Sequence, residues 1–541
     1  MKFSSIAIAA AVLCCVGCIS ESNHLGGNMV PANHKYKVRS PEEVAIPVMM
    51  KQADSLSAYS SSRITIGAIR NDEELGLSTR AACLTLVPLY NADEFDLGTD
   101  PALREFHFTA TSDSTSVSDQ DQANILQSVF VYELSSRLDP DGKTYCNTKP
   151  EHGSTIITNR IPLINGTDSL SFNFTREFGE KYLQITADDL KDIDSYTAKF
   201  PGIYIETEVP RSRGGRFNIF NLQLGYNSDY GYITGNFAEL KLTSTWNLDG
   251  KDVRKDSTFY FYFSPSQIVD VDSLLTKSGS GNFPQYCVNL TGQQTSSLQG
   301  DAQEEIFIEG GGGLKPCVSG MYLRDKAREI ISANGDDPSK AVINKATLTF
   351  HYMAPDPGFE KMYKLPQILS PTCRLTSDDG VAFIGLTDSS DSNADQGNIH
   401  RSTMTYSPDI TYHLQSILNL DDDNESLQNG SYDVWLLLMH YDLVTTTSSG
   451  NKELSDYYNY LAYQSYMSNM YGGYGSYYGS SYSNYYNYSL MAEYYGSSST
   501  SSSTTSALDR DRYYFGRLYG PDASDAKLRP SLKFTYSVPN E

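Results

Sequence analysis

Tryptophan is scarce in this sequence, and long apolar runs and the common catalytic motifs are missing. Only 2 of its 541 residues are Trp, and no apolar run reaches the ~20 residues that a membrane-spanning helix needs. The sequence has no G-x-S-x-G elbow, no H-E-x-x-H helix and no Walker-type phosphate loop. These absences remove the best-marked hydrolase, metalloprotease and nucleotide-binding classes, and we therefore expect a non-catalytic protein.

Basic residues are also in deficit. The chain has 42 Lys and Arg against 65 Asp and Glu, which gives a formal net charge of −23. An acidic surface repels nucleic acid and anionic lipid, and no basic stripe offsets it. We expect no nucleic-acid partner.

Cysteine is rare as well, yet three of the eight lie within "AVLCCVGCIS" at residues 11–20. Lys2, the apolar stretch 6–16 and the small residue Gly17 are the three parts of a secretory signal. Gly17 followed by Cys18 resembles a bacterial lipobox, whose cysteine is acylated before the signal is cut. We predict residues 1–17 as a lipoprotein signal peptide and Cys18 as the lipidation site.

The residues after Cys18 lack apolar periodicity, and we predict 18–60 as an acylated tether. Lipidation of Cys18 implies anchoring in a membrane. Glu21 resembles part of the export tag of Bacteroidota lipoproteins, which favours the cell surface over the periplasmic face. The five remaining cysteines are odd in number and widely spaced, so the chain is not a disulfide scaffold.

Alternating and continuous apolar segments dominate the chain beyond residue 60. "RITIGAI", "SVFVYEL", "GIYIETEV", "ATLTFHYM" and "LKFTYSV" are typical of β-strands, and turn residues separate them. We predict a mainly β fold of tandem antiparallel β-sandwich units, jelly-roll-like and similar to carbohydrate-binding modules, with few short helices. The predicted units are residues 61–270 and 281–541, the second with a Tyr/Ser/Gly-rich insertion at about 450–510.

The order of several segments carries a family resemblance. "YSSSRITIGAIRNDEELGLSTRAACLTL", "SVFVYELSSRLDPDGKTYCN", "FPGIYIETEV", "IFIEGGGGLKP", "VINKATLTFHY" and "LRPSLKFTYSV" follow one another behind the lipobox. This arrangement resembles the Bacteroidota outer-membrane lipoprotein family catalogued as domain of unknown function 4270. The resemblance implies an outer-membrane lipoprotein of β-sandwich units and supplies no catalytic residues.

Two loops are candidates for binding an ion. Residues 310–313 are four consecutive glycines that end in Leu-Lys-Pro, so we predict a bulge or a tight turn between strands and not a phosphate loop. Oxygen ligands alternate in "DSSDSNADQGN" as they do in calcium loops, although the glycine and the bidentate Glu of an EF-hand are misplaced. The candidate calcium ligands are Asp388, Asp391, Asn393 and Asp395. A solvated acidic loop is the alternative, and we expect no other cofactor.

The segment "PRSRGGRF" is the densest basic spot of the sequence. Its arginines are Arg211, Arg213 and Arg216. Guanidinium groups suit carboxylates and phosphates, so the three are a candidate contact for an anion or a partner, and a polar hairpin turn is the alternative.

A Tyr-rich stretch at residues 457–495 has no charge between Asp456 and Glu493. It is either a disordered loop or a contact surface, because tyrosine rings stack on sugars and partner proteins. The candidate contacts are Tyr471, Tyr474, Tyr477, Tyr478, Tyr482, Tyr485 and Tyr486.

Asp-Ser pairs occur at several places in the chain and resemble the O-glycosylation motif of exported Bacteroidota proteins. The candidate acceptors are Ser55, Ser114, Ser169, Ser257 and Ser273. The alternative is that Asp-Ser is a common turn pair.

Three functions remain open at this stage. The first is a non-catalytic, lipid-anchored accessory or scaffold subunit of an envelope complex with a protein partner. The second is a surface glycan-binding lipoprotein that holds a polysaccharide. The third, a hydrolase, needs two carboxyl groups ~5 to 9 Å apart, a spacing that no sequence displays.

Overall fold

The computed structural model describes most of the chain between residues 36 and 540. The described residues are 36–60, 63–88, 95–138, 144–191, 193–222, 224–227, 232–263, 287–355, 359–377, 380–390, 394–447 and 500–540. Of these residues, 49% lie in strands and 16% lie in helices. Every strand pair among them is antiparallel. The predicted mainly β, sandwich-like fold is confirmed.

The strands divide into two stretches of the chain. The first are β1 (Tyr36–Arg39), β2 (Val44–Ala45), β3 (Met49–Gln52), β4 (Arg63–Asn71), β5 (Gly76–Leu84), β6 (Val87–Pro88), β7 (Thr99–Val117), β8 (Gln127–Leu134), β9 (His152–Ile156), β10 (Leu163–Ile164), β11 (Leu170–Asn173), β12 (Ile203–Thr207), β13 (Gly214–Asn221), β14 (Leu224–Asn227), β15 (Tyr232–Gly235), β16 (Ala238–Leu248), β17 (Lys251–Tyr262) and β18 (Cys287–Gly292).

The second are β19 (Gly300–Asp301), β20 (Glu305–Glu309), β21 (Leu314–Val318), β22 (Val342–His351), β23 (Ile368–Ser377), β24 (Gly380–Gly385), β25 (Ile399–His400), β26 (Thr405–Tyr406), β27 (Val434–Thr447), β28 (Thr500–Leu508), β29 (Phe515–Tyr519) and β30 (Ser531–Pro539). The α-helices of the described residues are α1 (Arg176–Tyr182), α2 (Ile193–Lys199), α3 (Gly320–Ala333), α4 (Thr411–Leu418) and α5 (Glu425–Gln428).

A 13-stranded sheet forms the first sandwich. Its order is β10-β8-β12-β5-β4-β13-β7-β16-β17-β6, with β9, β11 and β18 attached at the sides. The long strand β7 pairs with β16 through its first half and with β13 through its second half, so it links two layers. The layers bury one apolar core that includes Ile66, Phe108, Val131, Leu240 and Phe261.

Two further sheets and the helices α3 and α4 form the second sandwich. One sheet has the order β1-β30-β22-β26-β25, and the other has the order β19-β3-β21-β27-β23-β24. Helix α3 begins after Ser319, whose hydroxyl accepts a hydrogen bond from the backbone N–H of Tyr322, as an N-cap does. The core of this unit includes Leu323, Leu348, Leu414, Leu436 and Phe534.

Strand pairing corrects three predicted boundaries. The predicted tether 18–60 is wrong for residues 36–60, because β1 and β2 pair with β30 and β3 pairs with β21. The predicted start of the second unit at residue 281 is wrong as well, because β18 pairs with β5 of the first sandwich. The insertion is shorter than 450–510, because the Ser/Thr-rich residues 500–508 form β28 and pair with β27.

A buried polar network joins the two sandwiches. The Tyr513 hydroxyl donates to Glu74 Oε2 at 2.8 Å, and the Lys364 ammonium forms an ion pair with the same carboxylate. Thr65 Oγ1 donates to Asp511 Oδ1 at 2.7 Å. Because both members of each contact are largely screened from water, the contacts resist screening by salt. They fix how the two sandwiches are oriented.

The four glycines at 310–313 lie inside this junction. They form the predicted tight turn between β20 and β21, and a Cβ at Gly311 would come within 2.7 Å of Arg80 Nη2. Lys315 Nζ donates to the carbonyls of Glu309, Gly311 and Gly313 at 2.6, 2.9 and 3.0 Å. Burial lowers the pKa of Lys315 to about 7, and the three carbonyls favour its charged form. The turn therefore encloses a buried amine.

Candidate docking surface

Five large aliphatic side chains are exposed around one edge of the 13-stranded sheet. Leu126 and Leu163 are 61% and 59% exposed, and the other three are also exposed. Together they define what we name the aliphatic corner: Ile125, Leu126, Ile161, Leu163 and Val209. A contiguous exposed apolar patch marks an interaction site more often than scattered apolar residues do.

Strand pairing brings the three segments of the corner together. Leu163 lies directly opposite Ser128 in the β10–β8 pair, and Leu126 precedes Ser128 by two residues. The backbone N–H of Glu208 donates to the Ser128 carbonyl at 3.0 Å, which brings the end of β12 beside them. Strands β9 and β10 lie at the edge of the sheet, where pairing with another chain is open.

A buried arginine holds the corner from beneath. The Arg216 guanidinium donates through Nη2 to the Ile164 carbonyl at 2.7 Å, through Nη1 to the Ile125 carbonyl, and through Nε to Asn218 Oδ1 at 2.6 Å. The Arg216 side chain is fully buried, and burial lowers its pKa to about 10. Its role is to satisfy carbonyls in two of the three segments that carry the aliphatic residues.

The predicted three-arginine site does not form as a set. Arg216 points inward from β13, whereas Arg213 forms ion pairs with Asp119 at 2.9 Å and Glu73 at 2.6 Å. The hydrogen bond to Asp119 raises the pKa of Arg213. Arg211 is exposed and makes no hydrogen bond or ion pair with the described residues. Arg216 is separated from the other two because it lies within β13, where its guanidinium is buried, whereas Arg211 and Arg213 precede the start of the strand at Gly214.

The same face of β8 continues from the corner into a cluster of rings. Tyr132 lies opposite Tyr204 of β12 and opposite Ile156 of β9. The His152 ring stacks on Tyr204 with centroids 4.4 Å apart and planes at 8°, and its centroid is 4.8 Å from that of Tyr132. The Tyr204 hydroxyl donates to Glu206 Oε2 at 3.0 Å. Aromatic and aliphatic residues thus share one exposed face.

The candidate calcium ligands that are described already bind backbone groups. Asp388 accepts the N–H groups of Tyr412 and His413 at 2.6 and 3.0 Å at the start of α4, and burial raises its pKa. Asp395 accepts the N–H groups of Gly397 and Asn398 at 2.9 and 3.0 Å. Asp391 and Asn393 lie outside the described residues. Within the part of the chain that the structure describes, no three His, Cys, Asp or Glu side chains gather as a metal site would require.

The Asp-Ser pairs differ in access to solvent. Ser55 is buried, and its hydroxyl accepts a hydrogen bond from Arg374 Nη2 at 3.1 Å, so a glycan there would displace a contact within the fold. Ser114 and Ser257 are half-buried within strands, whereas Ser169 is exposed in a loop. Ser273 lies outside the described residues. Among the four candidate serines that the structure describes, Ser169 is the most exposed.

Cys18 and all seven candidate tyrosines, Tyr471, Tyr474, Tyr477, Tyr478, Tyr482, Tyr485 and Tyr486, lie outside the described residues. The strands that flank the Tyr-rich stretch are described, and Thr447 of β27 lies directly opposite Thr500 of β28. Residues 448–499 therefore connect two paired strands. Among the helices in the described ranges, none is long and apolar enough to cross a membrane.

Sequence reasoning missed the aliphatic corner and the ring cluster, although a signal for both was present. In "SVFVYEL" both alternating sets are apolar, with Val129 and Val131 inside and Phe130 and Tyr132 outside. A strand that is covered on only one face needs only one apolar set, so the second apolar set indicates an additional contact surface.

No family model matches this chain, and no curated protein and no solved structure matches it either.

Proposed function

We propose that this protein is a non-catalytic, lipid-anchored accessory or scaffold subunit of a complex at the outer membrane. The observation that carries the proposal is the aliphatic corner, five exposed apolar side chains on three segments, two of which are held by the buried Arg216. An interface core needs apolar groups that are already in place, because ordering them on binding costs free energy. The lipobox and Cys18 supply the anchor of the proposal.

The chemistry of the corner favours a protein partner. Its side chains carry no hydrogen-bonding group, so they gain most by packing against other apolar side chains. Burying a leucine that starts about 60% exposed contributes about 1 to 2 kcal/mol. Leu126 and Leu163 are therefore the expected centre of the interface, and the short edge strand β10 beside them offers backbone groups to the partner.

The buried junction suits a scaffold. The ion pair between Lys364 and Glu74 and the bond from Tyr513 to Glu74 tie the second sandwich to the first. The strand β1, which follows the predicted tether, belongs to the second sandwich, and the aliphatic corner belongs to the first. A fixed orientation between the two keeps the corner at a constant position relative to β1, the strand that follows the predicted tether.

Co-purification with a matched surface control tests this function. The tagged, lipidated chain is extracted from outer membranes in mild detergent, and the accompanying proteins are quantified by mass spectrometry. We expect one envelope protein at constant stoichiometry, lost from a Leu126→Asp/Leu163→Asp variant. The control variant, Leu248→Asp/Val253→Asp, changes two exposed apolar residues near the β16–β17 turn and should keep the partner.

Two outcomes contradict the proposal. A wild-type protein that purifies alone at every detergent concentration has no stable partner. A partner that is retained by the corner variant and lost from the control variant binds elsewhere.

A further inference from the structure

The ring cluster on the outer face of the first sandwich is distinct from the aliphatic corner. It consists of Tyr132, His152 and Tyr204 with the carboxylate of Glu206, and we name it the aromatic platform. Ser128 and Tyr132 are separated by four residues of β8, or about 13 Å. The platform therefore lies beyond the reach of the leucines at the corner, and its chemistry differs from theirs.

The rings of the platform are fixed before any ligand arrives. Tyr204 packs against a small buried cluster that includes Cys83, Leu134 and Val288. His152 Nδ1 lies 2.8 Å from the Gly153 carbonyl, which holds the imidazole parallel to the Tyr204 ring. His152 is exposed, and Tyr132 and Tyr204 are half-buried. A fixed ring pays little conformational entropy when a ligand stacks on it.

Polar groups border the rings on the same face. Glu206 lies opposite Phe130 on the neighbouring strand, and its Oε2 accepts the Tyr204 hydroxyl at 3.0 Å. Among the described residues no donor reaches its other oxygen, which remains an acceptor for a ligand hydroxyl. Burial, followed by the negative charge of Glu206, raises the pKa values of Tyr132 and Tyr204, so both phenols keep their protons and act as donors.

We propose that the aromatic platform binds a neutral glycan, with a pyranose ring stacked on His152 and Tyr132 and a sugar hydroxyl donating to Glu206. A pyranose has a face of C–H groups and an equator of hydroxyls, which matches a ring surface bordered by a carboxylate and phenols. A purely apolar ligand offers no donor to the second oxygen of Glu206. The proposal goes beyond the accessory function and does not depend on it.

The local charge selects for neutral sugars. Glu208 is exposed two residues after Glu206, and the exposed Glu151 directly precedes His152, the first residue of β9. The chain as a whole has a formal net charge of −23. A uronic acid or a sulfated sugar at this position meets like charge, which costs free energy, whereas a neutral hydroxyl does not.

Affinity electrophoresis tests the platform. The full-length mature chain is run in native gels that contain hydroxyethylcellulose, xylan, mannan or dextran, and in gels without polysaccharide. We expect retardation by at least one polysaccharide, weakened on the order of tenfold in a His152→Ala/Tyr132→Ala variant, because two stacking rings are removed. A Tyr412→Ala variant is the matched control, since Tyr412 is an exposed ring on α4, outside the platform.

The outcomes separate this proposal from the accessory function. The proposal is overturned if wild type migrates unretarded in all four gels, or if the His152→Ala/Tyr132→Ala variant is retarded as strongly as wild type. Circular dichroism melting of each variant verifies that the fold is kept, and His152→Ala alone provides the comparison if the double variant melts early. The platform variants should keep the protein partner, because their substitutions leave Leu126 and Leu163 in place.

Discussion

Replacing Arg216 with methionine removes the group that holds the aliphatic corner while keeping most of the side-chain volume. The guanidinium donates to the carbonyls of Ile125 and Ile164 and to the side chain of Asn218. Each buried acceptor that loses its donor costs about 1 to 3 kcal/mol. The gross loss is therefore about 3 to 9 kcal/mol.

A part of that loss is returned, because the charge no longer needs to be buried. Burial lowers the pKa of Arg216 from its ordinary value of 12.5 to about 10, which corresponds to about 3 kcal/mol. We expect Arg216→Met to lower the free energy of unfolding by about 3 kcal/mol once the two contributions are combined. Lysine at this position keeps the charge but lacks the fork, so Arg216→Lys should also be destabilising.

Urea unfolding followed by circular dichroism measures the loss, and amide hydrogen exchange locates it. Exchange should accelerate in residues 125–129 and 161–164 and stay unchanged in the core of the second sandwich. Arg211→Met is the matched control, because Arg211 is exposed on the same segment, and its effect should stay within about 0.5 kcal/mol. Equal stability of the two variants would refute the role assigned to Arg216.

Three other predictions concern the connecting segment, a buried imidazole and the junction. Replacing residues 448–499 with Asn-Gly should leave the circular dichroism melting transition in place. The reason is that β27 and β28 are paired up to their ends, and a two-residue turn closes such a pair. Loss of the melting transition would contradict this prediction. Burial lowers the pKa of His413 from 6.5 to about 4, so the unfolded chain takes up the proton first as the pH falls. The stability that depends on His413 is fully present above pH 6.5 and declines toward pH 4 by up to about 3 kcal/mol. His413→Gln should therefore flatten the plot of unfolding free energy, measured in urea, against pH between 6.5 and 4. An unchanged plot would contradict this prediction. Lys364→Met should lower the free energy of unfolding by about 3 kcal/mol, because it leaves the Glu74 carboxylate buried without its cation. Adding Glu74→Gln to that variant should recover most of the loss. If the losses of the two single variants simply add in the double variant, Lys364 and Glu74 are not coupled.

The strands that were predicted correctly share strong local patterns. "RITIGAI", "SVFVYEL" and "ATLTFHYM" are apolar and β-branched, and they became β4, β8 and β22. The strands that were missed depend on distant partners. Residues 36–52 form only short strands interrupted by Pro41 and Pro47, and they are strands because β21 and β30 pair with them.

The Ser/Thr run at 500–508 was missed for a similar reason. Its composition is typical of a linker, but threonine is β-branched, and the run meets the threonines at the end of β27. The role of Arg216 was out of reach for a further reason: its neighbours Arg211 and Arg213 suggested a charged cluster. The position of Arg216 within β13 places its guanidinium against the carbonyls of Ile125 and Ile164, and no local pattern of the sequence displays that strand register.

The pairing of β1 with β30 sets the order in which the protein assembles. Tyr36 lies opposite Pro539, and β3 pairs with β21. Residues near the start of the chain therefore pair with residues that lie hundreds of positions later. Contacts of such long separation form slowly, because a large loop must close before they contribute stability. Until β30 is in place, the backbone of β1 is unpaired, and its side chains Tyr36 and Val38 are exposed. A partly folded chain of this kind is prone to pair with a neighbouring chain. A truncation that removes β30 should therefore yield aggregates and not a smaller folded protein.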